Sequence, residues 1–315
     1  MSRPSGALAA GRRPPAAGLG LAAIAGAAAL WAVAAAVASD LFDAGVPPVE
    51  LAAARSVIAA LGLGAIALAR RRTGGPRTGS GAVGLPHLIA LGLSIALVNA
   101  AYYLAIDRLA VAVAIVLQYT APALVVTYTA LSARRAPSLE ILAAVAAAVA
   151  GVVLVAEVFG GDLGTLDGLG IVFGLCSAVL FATYTLLSEP AGTAWGPIDA
   201  MFRAFVVAAI AWVLFQIPRG MPDELLDPAN IPRVVFVGLF GTLAPFLLYV
   251  WAIQVVRPER ATIAATLEPV LAAIIAWVWL GQELSAMQIS GGLLVIAAVA
   301  LLQLRRKRPL VAPEP

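Results

Sequence analysis

"YYLAIDRLAVAVAIVLQYTAPAL" (102–124) lies over "YVWAIQVVRPERATIAATLEPVL" (249–271) without a gap. Tyr102 meets Tyr249, Ala105 meets Ala252, Ile106 meets Ile253 and Pro122 meets Pro269, all at an offset of 147 residues. Ser138 meets Ser285 in the same frame. Further upstream, "AAARSV" (52–57) lies over "AMFRAF" (200–205) at an offset of 148, which brings Arg55 onto Arg203. Self-similarity at a fixed spacing reads as two copies of one structural unit.

The composition says what each copy is made of. Of the 315 residues, 62% are hydrophobic and 12% are charged, against roughly 25% charged in soluble domains. A window of about 20 residues gives ten apolar spans. They lie at 18–38, 47–69, 86–106, 110–131, 138–157, 167–187, 197–216, 232–255, 259–280 and 285–304. Hydrocarbon offers no partner to backbone N–H and C=O groups, so long apolar runs must be helices. The expected fold is an all-α polytopic membrane protein of ten transmembrane helices. Its parts are a tail at 1–17, a first five-helix repeat at 18–157, a second at 167–304 and a tail at 305–315. "AVAS" (36–39) after Arg12 and Arg13 resembles a signal-peptide cleavage site, but the repeat needs span one as the partner of span six.

Charge gives the orientation. With a cytoplasmic N-terminus, fifteen basic residues are inside: Arg3, Arg12, Arg13, Arg70, Arg71, Arg72, Arg77, Arg134, Arg135, Arg257, Arg260, Arg305, Arg306, Lys307 and Arg308. The opposite loops hold three, Arg108, Arg219 and Arg233. This bias places both termini in the cytoplasm of a plasma (inner) membrane protein. Each repeat has five spans. Five is odd, so the second repeat is inverted, and inverted repeats meeting at the midplane are a recurrent plan for secondary transporters.

Glu268 raises the sharpest question. Its nearest charged neighbours in sequence are Arg260 and Glu283, so it lies deep within span nine. An intramembrane carboxylate costs about 2.5–3.5 kcal/mol on insertion scales and defaults to a functional reading. Ala261, Ala264, Ala265, Ala272 and Ile275 share its helical face, whereas Ile263, Leu267, Val270, Ile274 and Val278 form a bulky stripe suited to lipid. Three roles stay open: a direct part in transport, an ion pair with Arg55 or Arg203, or a hydrogen bond to backbone freed by Pro269. Pro269 removes a donor to the Ala265 carbonyl, and Pro122 does the same to Gln118. These two helix kinks at matched positions point to a site.

Polar and aromatic residues collect on the same spans: Asn99, Tyr102 and Tyr103; Gln118, Tyr119 and Thr120; Thr183 and Tyr184; Tyr249 and Trp251. Glu268, Gln118, Tyr102, Tyr249, Asn99 and Tyr184 are the candidate substrate-binding set. Interfacial anchoring accounts equally for Tyr102, Tyr103, Tyr249 and Trp251. Arg55 is a candidate charge partner of Glu268, an anchor for a substrate carboxylate, or a side chain reaching outward beside Glu50. Arg203 follows Asp199 by four residues, the spacing of a local ion pair.

The remaining chemistry is sparse. Cys176 and His87 are single, so no metal site and no intrachain disulfide are expected. No Walker loop or Gly-x-Ser-x-Gly motif is present, and neither an enzyme nor a bound cofactor is expected. The residues 70–86 read as a flexible linker. Partners read from the chain are a small-molecule substrate and the lipid bilayer, with no nucleic acid; self-association as a homodimer stays open.

"LEPVLAAIIAWVWLGQELSAMQISGGLLVIAAV" (267–299) carries Glu268–Pro269, Gly281–Glu283 and Gly291–Gly292. Together with ten spans in 5+5 inverted repeats, it resembles the EamA-type members of the drug/metabolite transporter superfamily. The resemblance covers roughly 20–304 and departs in the first repeat, where Ala121 and Ala136 stand at the positions of Glu268 and Glu283. It implies a secondary transporter of small polar or amphipathic metabolites, with export of amino acids leading. The alternative from another class is a non-transporting membrane scaffold or receptor, which would lack a continuous polar path.

Overall fold

The structure, a computed structural model, describes residues 15–72, 83–109, 111–155, 167–220, 223–280 and 285–304. The 281–283 turn, the basic clusters at 3–13 and 305–308, and most of the 70–86 linker lie outside the described residues. All described elements are helical. They are α1 (Pro15–Asp43), α2 (Pro48–Arg72), α3 (Leu85–Ile106), α4 (Val111–Gln118), α5 (Ala121–Ala133), α6 (Leu139–Val155), α7 (Gly168–Trp195) and α8 (Pro197–Gln216). After a short α9 (Asp223–Leu226) come α10 (Ile231–Gly238), a π-helical turn (Leu239–Leu243), α11 (Ala244–Val256), α12 (Pro258–Ala265), α13 (Leu267–Leu280) and α14 (Ala286–Leu304).

These make ten crossings, because α4–α5, α10–α11 and α12–α13 are each one span with an internal irregularity. Seven of the ten are long and apolar enough to cross a membrane by length and composition, and α6 and α14 are shorter apolar helices. The tenth is the broken pair α12–α13. Proline is accommodated at helix starts, as at Pro197 and Pro258, where its missing N–H would have had no helical partner. Pro190 is the exception. It lies inside α7, which runs to Trp195 rather than ending near 187. Its missing N–H leaves the Leu186 carbonyl without its helical donor, and Gln254 Nε2 donates to the nearby carbonyls of Ser188 and Glu189.

Packing follows a two-fold pattern that exchanges the repeats. The third span packs on the sixth (α3 on α7), and its symmetry mate packs the eighth on the first (α11 on α1). The second packs on the seventh (α2 on α8) and the fifth on the tenth (α6 on α14), both of which are their own mates. Contacts of α4 and α5 with α7 are mirrored by those of α12 and α13 with α1. A two-fold exchanging five-span units implies opposite directions through the bilayer, so the fold is two inverted repeats.

The interior is built from small side chains. Ala27, Ala38, Ala59, Ala204, Ala252 and Ala261 are fully buried, whereas Leu61, Leu131, Leu169 and Leu293 are exposed on the outside. This is the arrangement of a bundle in lipid, where close backbone approach holds the helices and bulk faces the acyl chains. The bulky stripe read on span nine is corrected in part. Ile274 and Val278 are exposed, but Ile263 and Val270 are buried. The chain turns at Thr266 between α12 and α13, so one continuous helical phase does not carry across it.

Candidate functional site

Spans four and nine break at matched positions. Gln118 ends α4 and Ala265 ends α12, again 147 residues apart. Pro122 and Pro269 lie in the first turns of the helices that follow. The breaks share one threonine turn: Thr120 Oγ1 donates to Leu117 O at 2.7 Å and Thr266 Oγ1 to Ile263 O at 2.6 Å, each beside the backbone N–H of the same threonine. The two breaks face one central cavity of about 510 Å³, its open mouth included.

Glu268 is in the first turn of α13 and is 5% exposed. Unpaired N–H groups at a helix start favour an anion there. Tyr119, in the break of span four, donates its hydroxyl to Glu268 Oε2 at 2.6 Å. Hydrogen bonds of this charge-assisted kind contribute about 1.5–3 kcal/mol. The broken ends of the two repeats are therefore joined by one short bond.

Arg55 lines the same cavity and is 4% exposed. It donates from Nε to Thr242 Oγ1 at 2.5 Å, from Nη1 to the Tyr103 hydroxyl, and from Nη2 to the Gly241 carbonyl at 2.5 Å. Thr242 Oγ1 donates in turn to Val237 O at 2.9 Å, and Pro245, four residues after Gly241, has no N–H to return, which leaves the Gly241 carbonyl for the guanidinium. The Tyr103 ring also lies 5.0 Å from Arg55 Cζ.

Neither alternative pairing of Arg55 occurs. It does not reach outward beside Glu50, and it makes no ion pair with Glu268. Arg108 and Asp167, by contrast, pair at 3.4 Å where both are partly exposed. The Arg203–Asp199 pair is likewise absent. Arg203 is exposed and lies 4.7 Å over the Trp195 ring, because the flat guanidinium stacks on an aromatic face within reach. Two arginines at matched repeat positions thus differ completely, one buried in the cavity and one on the rim.

Five of the six candidate binding residues line the cavity: Glu268, Gln118, Tyr102, Asn99 and Tyr184. Tyr249 does not. It is fully buried behind the wall, hydrogen-bonded with Thr185 and Thr262. Tyr102 and Tyr103 are buried rather than at a membrane surface, while Trp251 is exposed. Thr183 turns away, its hydroxyl donating to Val179 O. The Tyr102 hydroxyl is buried with no hydrogen-bond partner. Asn99 donates to Ile95 O, which leaves its carbonyl oxygen for the cavity.

Sequence reasoning missed the apolar wall. Trp31, Phe181 and Phe246 line the cavity and interlock edge to face, with Trp31 at 6.4 Å from Phe181 and 5.7 Å from Phe246. The available signal was Trp31 itself. It falls near the middle of α1, where interfacial anchoring explains nothing. Tyr119 was legible as a polar aromatic beside Gln118, but its pairing across the repeats was not.

The comparisons agree with this architecture. The model of the EamA-like transporter family matches twice, at 18–156 and 168–304. An uncharacterized transporter of Archaeoglobus fulgidus is 27% identical over 221 residues, covering 70% of this chain and 77% of that one. The threonine/homoserine exporter RhtA of Salmonella typhimurium is 28% identical over 211 residues, covering 67% and 68%, and that of Escherichia coli K12 is 26% identical over the same length. A solved crystal structure shares the fold with a TM-score of 0.69 at 20% identity, covering 93% of this chain and 99% of its own. The chain belongs to the EamA-like transporter family: it is a multi-pass membrane transporter built from two inverted five-helix repeats.

Proposed function

We propose that the protein exports small polar or amphipathic metabolites, amino acids foremost, across the plasma (inner) membrane by alternating access, with no chemical change to the solute. One observation carries this reading. A chamber lined by Arg55, Asn99, Gln118 and Glu268 on one side and by an aromatic wall on the other lies where the broken fourth and ninth spans of the two repeats meet, inside a bundle that is otherwise rich in buried alanine and greasy outside. Inverted repeats supply two equivalent packings that open to opposite sides. Exchanging which repeat is bent at its break would move access from one face to the other while Glu268 and Arg55 stay in place. The amino-acid class is supported by the threonine/homoserine exporters among the relatives.

Purified protein in liposomes should exchange labelled L-threonine or L-leucine for the unlabelled amino acid inside. Absence of exchange for every neutral amino acid tried would overturn the reading; retained binding without exchange would make the protein a receptor. The orientation is tested separately. The fifteen-to-three bias of basic residues supports a cytoplasmic position for both termini. A phosphatase active only in the periplasm, fused after Leu304, should give background activity, and strong activity there would reverse the topology.

A further inference from the structure

We propose that Arg55 and Glu268 are the two ends of a site for a zwitterionic amino acid, the guanidinium taking the α-carboxylate and the Glu268 carboxylate the α-ammonium. This rests on the export reading above and goes further by naming the recognition chemistry.

Start with the unmatched charges. A guanidinium has five N–H groups. Three of those on Arg55 are bound, all to neutral oxygens of Thr242, Tyr103 and Gly241. One N–H on each terminal nitrogen remains, and carboxylates engage such groups in pairs. Glu268 likewise receives only a neutral donor, Tyr119. Both charged groups are at least 95% buried and line one cavity, yet they make no ion pair with each other or with any described residue.

Leaving opposite charges buried and unpaired costs several kcal/mol per ion, so a bundle selected for stability alone would let them meet. The scaffold holds them apart instead. Arg55 is fixed to the π-helical turn and Tyr103, and Glu268 is fixed at the start of α13 beside Tyr119. A ligand carrying one negative and one positive group satisfies both at once. A dicarboxylate would meet Glu268 with like charge, and a diamine would meet Arg55. The buried, partnerless Tyr102 hydroxyl offers a further polar contact. Trp31, Phe181 and Phe246 leave an uncharged wall for the substrate side chain. Neutral amino acids are therefore the class, and an additional side-chain charge would have no partner.

The test uses full-length protein in nanodiscs, with binding followed by calorimetry. The probes are L-threonine, L-threoninamide (no carboxylate) and 3-hydroxybutyrate (no ammonium), at a pH where the amide is protonated. L-leucine, L-leucinamide and 4-methylpentanoate form a second set. Wild type should bind the amino acid at least tenfold more tightly than either analogue. Glu268→Gln should erase the preference over 3-hydroxybutyrate and keep the preference over threoninamide. Arg55→Gln should do the reverse. Should Arg55→Gln fail to fold, Arg55→Lys keeps the cation, loses the paired donors and should still shrink the preference over threoninamide. If the amino acid is exchanged in liposomes but the analogues bind equally, or the variants weaken all three ligands alike, the two-ended site is wrong and export stands. If no amino acid is exchanged or bound, the export reading falls and this inference falls with it.

Discussion

Gly291→Leu is expected to release α14 from α6 and to lower the stability of the whole second repeat. A Cβ at Gly291 would sit 2.7 Å from the Gly151 carbonyl oxygen, from Leu154 Cβ and from Val155 N. A Cβ at Gly151 would sit 2.8 Å from Gly291 O and 3.0 Å from Val295 N. Two of the three obstacles at each glycine are backbone atoms, so no rotamer change relieves them. Ala144, Ala148 and Ala298 are buried in the same seam. The offset of 147 relates Gly151 to Ala298 and Gly291 to Ala144, so this crossing lies on the axis that exchanges the repeats. Overpacking a well-packed contact costs about 1–3 kcal/mol, and leucine here sits at or above the top of that range. The purified variant should melt several degrees below wild type and lose its single peak on size exclusion. Gly292→Ala is the control, because its Cβ would meet only Val270 Cγ1 at 3.4 Å and should change little. An unchanged melting curve for Gly291→Leu would mean that α14 is held elsewhere.

What the sequence makes legible depends on how local the physics is. Helix count and inversion follow from hydropathy and an odd number of spans per repeat. The breaks follow from Pro122 and Pro269, since a missing N–H marks the carbonyl four residues earlier whatever the surroundings. Glu268 is conspicuous because a charge in an apolar run has few harmless explanations. Its partner is not legible. Tyr119 and Glu268 are 149 residues apart, and only the folded bundle brings them within 2.6 Å. The π-helical turn is legible only in part: Pro245 in "LFGTLAP" (239–245) marks the Gly241 carbonyl, but nothing in the stretch names Arg55, 186 residues away, as the group that takes it. The apolar wall escapes for a third reason. In lipid, hydrophobicity no longer separates inside from outside, so Phe181 and Phe246 look the same as lipid-facing Phe240, which is exposed.

Glu268→Gln is expected to fold at least as well as wild type and yet to lose most transport. Glutamine keeps the shape of the side chain and can still accept the Tyr119 hydroxyl on its carbonyl oxygen. It also removes a buried charge with no ionic partner, so the melting temperature should hold or rise. What it cannot do is balance an ammonium. Losing a charged hydrogen-bond partner for a buried ligand costs about 1.5–3 kcal/mol, or roughly 10- to 150-fold in binding. Tyr119→Phe separates position from charge. It leaves the carboxylate in place without its donor, so transport should fall less than in Glu268→Gln, because the lost bond positions the carboxylate and the charge that meets the ammonium remains. The two changes share one contact and should combine less than additively, whereas Glu268→Gln with Arg55→Gln should show no mutual rescue of expression, because the two side chains do not touch. Initial exchange rates in liposomes, set beside melting curves of the same preparations, measure all of this. A Glu268→Gln protein that melts normally and exchanges amino acid at the wild-type rate would remove the charge from the mechanism. The broken, proline-marked helix would then be what the "LEPV" (267–270) stretch contributes to transport.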